Sequence, residues 1–76
     1  MEKIYDLLAE LRPEFNFYNS KNFIDDGMLD SFDIISLVSA LEETYDIHID
    51  ALDILPENFC SIEAIANLIR KNGGVV

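Results

Sequence analysis

Residues 30–45 read DSFDIISLVSALEETY, and this stretch carries the strongest helix signal in the chain. Its apolar side chains recur at three- and four-residue intervals, which places them on one face of an α-helix. They are Ile34, Leu37, Val38, Leu41 and Tyr45. Asp30 or Ser31 can cap the helix start, and Asp33 lies in the first turn, where the helix dipole favours negative charge. We therefore predict a helix over residues 31–45.

A second helix is predicted over residues 2–12, on the N-terminal side of this stretch. Its apolar positions again share one face, at Ile4, Leu7, Leu8 and Leu11. Pro13 should end it, because the residue before a proline is pushed out of the helical region.

A third main helix is predicted over residues 61–72. Ser61 is a suitable N-cap, and Gly73 and Gly74 follow as stop signals. Between the second and third main helices, residues 51–55 should form one short helix that Pro56 stops.

Residues 13–30 are predicted to form a long loop, with a turn signal at Asp25-Asp26-Gly27. The loop is too apolar for a free linker, so we expect it to pack on the core as an ordered strap with a short helical turn near residues 21–24. Its apolar residues are Phe15, Phe17, Tyr18, Phe23, Ile24, Met28 and Leu29. The predicted fold is an all-α, small four-helix bundle, with three main helices, one short helix and a long first loop. Residues 1–76 should form a single domain.

The charge of the chain restricts its partners. Fifteen Asp and Glu residues face five Lys and Arg residues, which gives a formal net charge of −10. Nucleic acids and anionic membranes both attract basic surfaces, so we expect neither as a partner. Proteins with basic surfaces fit better, although so much acid also keeps a small protein soluble. With one cysteine and no signal peptide or long apolar run, we expect a monomeric cytoplasmic protein.

The sequence offers little for catalysis. The single histidine, His48, lies in a polar stretch, and the single cysteine, Cys60, has no basic neighbour that would activate its thiol. The acids Asp25, Asp26 and Asp30 suggest calcium, but the EF-hand spacing fails at Ile24, which leaves weak divalent-ion binding by these acids as a further alternative. We predict neither an enzyme nor a metal site.

The segment Asp30-Ser31-Phe32-Asp33, followed by Leu37-Val38 and Ala40-Leu41-Glu42-Glu43, resembles the Asp-Ser-Leu-Asp region of acyl carrier proteins. The similarity continues through residues 45–49 and again over residues 61–66, so that it covers nearly the whole chain. This family includes fatty-acid carriers, peptidyl carrier domains and D-alanyl carrier proteins.

The resemblance implies that Ser31 bears a covalent 4'-phosphopantetheine arm, transferred from coenzyme A by a phosphopantetheinyl transferase. It implies a stand-alone carrier that holds acyl or aminoacyl groups as thioesters and delivers them to loading and acyl-using enzymes. Fatty-acid, polyketide, aminoacyl and D-alanyl cargoes all stay open, because Phe32 replaces the family's usual Leu or Met and Ser36 stands where fatty-acid carriers commonly have an acid. The alternative is an unmodified acidic helical interaction module, in which Ser31 is a plain N-cap.

At about 100° per residue, Phe32, Ser36, Ser39 and Glu43 face away from the apolar stripe of residues 34–45, and Ile35 lies to its side. Apolar residues beside Ser31, ringed by acids, indicate a docking surface for basic partner enzymes. Alternatively, Ile35 packs under the loop or the short helix. The predicted partner-binding residues are Asp30, Phe32, Asp33, Ile35, Ser36, Ser39, Glu42 and Glu43. Small core residues such as Ala40 and Ala66 would allow cargo between the helices, but the sequence leaves such a cavity open.

Overall fold

The computed structural model describes residues 1–76 and contains helices but no strands. The α-helices are α1 (Glu2–Leu11), α2 (Ser31–Tyr45) and α3 (Ile62–Lys71). Short 3-10 turns lie at Phe17–Asn19, Ala51–Asp53 and Pro56–Asn58. The predicted all-α fold is therefore confirmed. None of the helices combines the length and the apolar character that crossing a membrane requires.

The predicted short helix over residues 51–55 is replaced by a 3-10 turn at Ala51–Asp53, and another 3-10 turn follows at Pro56–Asn58. The Asp50 side chain accepts the Leu52 N–H at 2.9 Å, which starts the first turn. Ile54 then leaves the helical region at φ −82° and ψ 75°. Pro56 is predicted to stop a helix, but it is the first residue of the 3-10 turn at Pro56–Asn58, where its fixed φ suits a helical start.

Helix α1 ends one residue before the predicted boundary, at Leu11. Arg12 adopts φ −137° and ψ 78°, outside the helical region, because Pro13 follows it. Its backbone N–H still donates to the Leu8 carbonyl at 2.9 Å, so the chain leaves the helix at a defined point.

The predicted bounds of α2 are confirmed at both ends. Its apolar stripe is buried at Ile34, Leu37, Val38 and Leu41. The helix ends at Asp46, which adopts the left-handed conformation at φ 54° and donates its N–H to the Glu42 carbonyl. In α3, the predicted cap is also confirmed, because Ser61 Oγ accepts the Ala64 N–H at 3.1 Å.

The first loop packs onto the core as predicted. Phe17, Phe23 and Leu29 are buried, and the Phe17 and Phe23 rings meet edge to face with centroids 5.1 Å apart. The Phe23 N–H donates to the Cys60 carbonyl at 2.6 Å, which fastens the loop to the segment before α3. A single helical turn lies near the predicted position, because the Asp26 N–H donates to the Asn22 carbonyl at 3.0 Å. Asn22 Oδ1 accepts the N–H groups of Ile24 and Asp25 at the start of this turn, at 3.1 and 2.9 Å.

Candidate functional site

Ser31 is the first residue of α2, and its side chain is exposed. The residue before it caps the helix: Asp30 Oδ1 accepts the Asp33 N–H at 2.9 Å. Asp33 Oδ2 accepts the Asp30 N–H in return, at 3.0 Å, which completes a capping box. The sequence left the cap open between Asp30 and Ser31, and the structure assigns it to Asp30. The Ser31 hydroxyl makes no hydrogen bond within the protein.

Arg12 holds this capping box in place from the end of α1. Its Nε donates to Asp33 Oδ2 at 2.9 Å, and its terminal nitrogens lie 3.4 Å from Asp30 Oδ2 and 3.1 Å from Glu14 Oε2. Sequence reasoning missed Arg12, because nothing in the local pattern relates it to a carboxylate 21 positions away. The available signal was a charged residue directly after the apolar face of α1 ends.

The ionisation of Asp33 depends on these contacts. Burial alone would raise the pKa of its carboxyl group. Hydrogen bonds from Arg12 and from the Asp30 backbone, together with the Arg12 charge, outweigh burial and hold the pKa below its ordinary value. The hydrogen bond to Asp33 likewise raises the pKa of Arg12. Both groups are therefore charged at neutral pH.

Most of the predicted partner-binding positions are exposed around Ser31. Phe32 is 85% exposed and Ile35 is 63% exposed. Ile35 is therefore not covered by the first loop or by the segment over residues 51–55. The other exposed positions of this set are Asp30, Ser36, Ser39 and Glu43.

Two predicted partner-binding residues also make contacts within the fold. Asp33 is only 8% exposed and hydrogen-bonds within the capping box and to Arg12, so it is less accessible than the other predicted positions. Glu42 is half-buried, and its Oε2 accepts the Ile49 N–H at 2.9 Å and lies 3.3 Å from His48 Nδ1. It fastens the chain after α2 back onto that helix.

The 51–56 segment lies beside Ser31, which the sequence did not indicate. A surface pocket of about 230 Å³ is lined by Ser31, Ile34, Ile35, Ile54 and Pro56. On the same segment, Leu52 is 82% exposed. The apolar surface next to Ser31 thus extends beyond α2.

The residues considered above for catalysis and for metal binding do not form a common site. His48 is exposed, and the half-buried Cys60 thiol donates to the Glu57 carbonyl at 3.3 Å. Asp26 accepts a hydrogen bond from Ser20, and no group of His, Cys, Asp or Glu side chains is arranged to hold a metal ion.

Two of the known proteins that are similar to this chain are acyl carrier proteins. The acyl carrier protein of Buchnera aphidicola subsp. Schizaphis graminum is 36% identical over 73 residues, which cover 93% of this chain and 91% of that protein. The acyl carrier protein of Bdellovibrio bacteriovorus is 38% identical over 52 residues, covering 68% of this chain and 64% of that protein. The second match therefore spans just under two thirds of the relative's length. No family model and no solved structure matches the chain.

Together with the small all-helical fold, these matches define a carrier protein rather than an enzyme. The chain belongs to the acyl carrier protein family, whose members carry a covalently attached 4'-phosphopantetheine.

Proposed function

We propose that Ser31 is the attachment site of the 4'-phosphopantetheine arm, and that the chain carries acyl or aminoacyl groups as thioesters on it. The observation that carries this proposal is the exposed Ser31 hydroxyl, which has no partner in the protein although it lies at a capped helix start. A serine that served only as an N-cap would accept a backbone N–H, and here Asp30 does so.

The surroundings of Ser31 fit a phosphodiester. The first N–H groups of an α-helix have no partner within the helix. Asp30 takes the Asp33 N–H, which leaves those of Ser31 and Phe32 free to donate to phosphate oxygens. The positive end of the helix dipole favours the added negative charge.

Loading would proceed at the Ser31 hydroxyl. Its oxygen forms a bond to the phosphorus that carries the pantetheine chain of coenzyme A, and the bond from that phosphorus to the adenosine nucleotide breaks. The hydroxyl proton passes to a base of the phosphopantetheinyl transferase. Once bound, the arm supplies a terminal thiol, on which cargo is held as a thioester. The chain itself contributes an accessible hydroxyl on a fixed helix end.

We propose that partner enzymes dock on the exposed residues around Ser31. The net charge of −10 would attract partners with basic surfaces at long range. Phe32 and Ile35 would provide apolar contact once a partner is bound. Phosphopantetheinyl transferases and the loading and acyl-using enzymes of fatty-acid, polyketide or nonribosomal-peptide biosynthesis are the proposed partners. The acidic and polar rim consists of Asp30, Ser36, Ser39 and Glu43.

We propose that the protein is a cytoplasmic monomer. We also propose that residues 1–76 form one domain. The supports are a single cysteine without a disulfide and one continuous core of 15 buried apolar residues.

The test is intact-mass measurement after incubation with coenzyme A and a promiscuous phosphopantetheinyl transferase. The wild type should gain the mass of one arm, and Ser31→Ala should gain none. Thr44→Val is the matched control, since it removes a hydroxyl from the same helix at a position outside the proposed docking surface and should still be loaded. A wild type that gains no mass, or a Ser31→Ala variant that does, would favour the unmodified interaction module.

A further inference from the structure

The end of α1 and the start of α2 are joined by the side chain of Arg12. This guanidinium contacts the three carboxylates of Glu14, Asp30 and Asp33. Asp30 directly precedes Ser31 in the sequence, and Asp33 follows it two positions later. The cation that pairs with the two carboxylates at the start of α2 thus lies at the end of α1.

Without Arg12, the capping box would contain an uncompensated charge. Asp33 is buried, and a buried carboxylate without a cation is costly to keep ionised. Asp33 would then become protonated more readily or turn out toward water. Either change weakens its acceptance of the Asp30 N–H and loosens the first turn of α2.

The rest of the contact between α1 and α2 does not depend on Arg12. Ile4 and Leu8 of α1 and Leu37 and Leu41 of α2 are buried in the common core. Loss of the Arg12 contacts should therefore loosen the helix start around Ser31 before it affects the bundle.

We propose that Arg12 is a positioning residue for the loading of Ser31: it acts through Asp30 and Asp33 to hold the serine in the conformation that the transferase binds. This inference rests on the proposed attachment at Ser31. If only a fraction of the molecules has the helix start formed, the apparent affinity of the transferase falls to that fraction of its intrinsic value. The maximal rate at saturation is unchanged, because the bound complex is the same.

The kinetic experiment compares loading of wild type, R12Q and R12K by intact mass over a range of carrier concentrations. We expect R12Q to raise the KM for the carrier about tenfold, which corresponds to a formed fraction near one tenth, with kcat within about twofold. R12K keeps the positive charge but loses the planar fork of N–H donors, so its KM should lie between those of the wild type and R12Q. R70Q is the matched control, because Arg70 is exposed on α3 and hydrogen-bonds only Asn67; its KM should equal that of the wild type.

A spectroscopic measurement separates positioning from general destabilisation. In a ¹³C-detected titration, the pKa of the Asp33 carboxyl group should rise in R12Q. Amide exchange should become faster at Asp33 and Ile34 in the first turn, whereas the Leu41 amide in the middle of the bundle should keep its protection. Should R12Q unfold at the assay temperature, R12K provides the same comparison.

The outcomes separate the two proposals. If the wild type gains no arm, the proposed function fails and the role of Arg12 in loading fails with it. If the wild type is loaded and R12Q shows an unchanged KM, only the role of Arg12 is overturned. A fall in kcat at unchanged KM also overturns it, because Arg12 would then act during the transfer and not on the helix start.

Discussion

Asp30 and Asp33 cap the start of α2 reciprocally, since each carboxylate accepts the backbone N–H of the other, at 2.9 and 3.0 Å. Two orphan donors of the helix are satisfied in this way, and Ser31 follows the cap as the first residue of the helix. The capping work is done by the two acids, so the serine hydroxyl is left available for modification.

Removing the second acid should destabilise the protein. Asp33→Ala deletes the acceptor for the Asp30 N–H and leaves Arg12 without its closest partner. We expect a loss of about 1–2 kcal/mol in the free energy of unfolding, measured by urea denaturation. Ser36→Ala, one turn further along the exposed face, should change it by less than about 0.5 kcal/mol. Equal stabilities of the two variants would contradict the capping role.

The contribution of Asp33 should depend on pH with a defined sign. Its pKa is lower in the folded protein than in the unfolded chain, where it is about 3.9. The stabilisation is therefore fully present above the unfolded pKa and is lost as the pH falls through the folded pKa. The stability difference between wild type and Asp33→Asn should be constant near neutral pH and shrink in strong acid. A difference that stays constant into strong acid would show that the ionised carboxylate is not responsible.

Glu42 and Glu43 are neighbours in sequence but should respond differently to truncation. Glu42 accepts the backbone N–H of the buried residue Ile49, whereas Glu43 is exposed and makes no hydrogen bond. Glu42→Ala should cost about 1–2 kcal/mol in unfolding free energy, because a part-buried N–H loses its acceptor. Glu43→Ala should cost less than about 0.5 kcal/mol. Thermal unfolding of the two variants measures this difference. A larger loss of stability for Glu43→Ala than for Glu42→Ala would refute the structural role of Glu42.

Phe32 and Ile35 should contribute to binding and not to folding. Both side chains are largely exposed, so replacement by alanine should leave the unfolding transition unchanged. Binding of a phosphopantetheinyl transferase, measured by calorimetry, should weaken by about 1–2 kcal/mol for each variant. Val75→Ala, an exposed apolar truncation near the C-terminus, is the control and should bind like the wild type. Unaltered affinity of both variants would remove these residues from the docking surface.

The strap between α1 and α2 should be essential for stability. Phe23 is 1% exposed and packs edge to face on Phe17. Phe23→Ala should cost about 3–5 kcal/mol, a large share of the roughly 5–15 kcal/mol typical of a folded domain. Phe32→Ala makes the same chemical change on the surface and should have little effect on the urea midpoint. Similar midpoints for both variants would mean that the strap does not belong to the core.

The helices could be predicted from the sequence because their signals are local. Periodicity located α2 from Ser31 to Tyr45, and Ser61 marked the start of α3. Periodicity also separated Phe32 from the buried stripe, because the angle around a helix is fixed by sequence spacing.

The remaining features depend on contacts between distant residues. Arg12 meets Asp33 only after α1 has packed beside α2, and a helical wheel shows nothing of this. The helical wheel likewise omits the returning chain that brings the Ile49 N–H to Glu42. The short helix was mispredicted because Asp50 and Pro56 each start a 3-10 turn of their own.

The chain that borders Ser31 on its other side, residues 51–58, consists of two 3-10 turns with an exposed leucine at residue 52. Few core contacts constrain its surface positions, so substitutions there cost little stability. The capped start of α2, in contrast, tolerates little change. Ser31 therefore lies between one border whose surface side chains can be exchanged without loss of the fold and another whose side chains cannot.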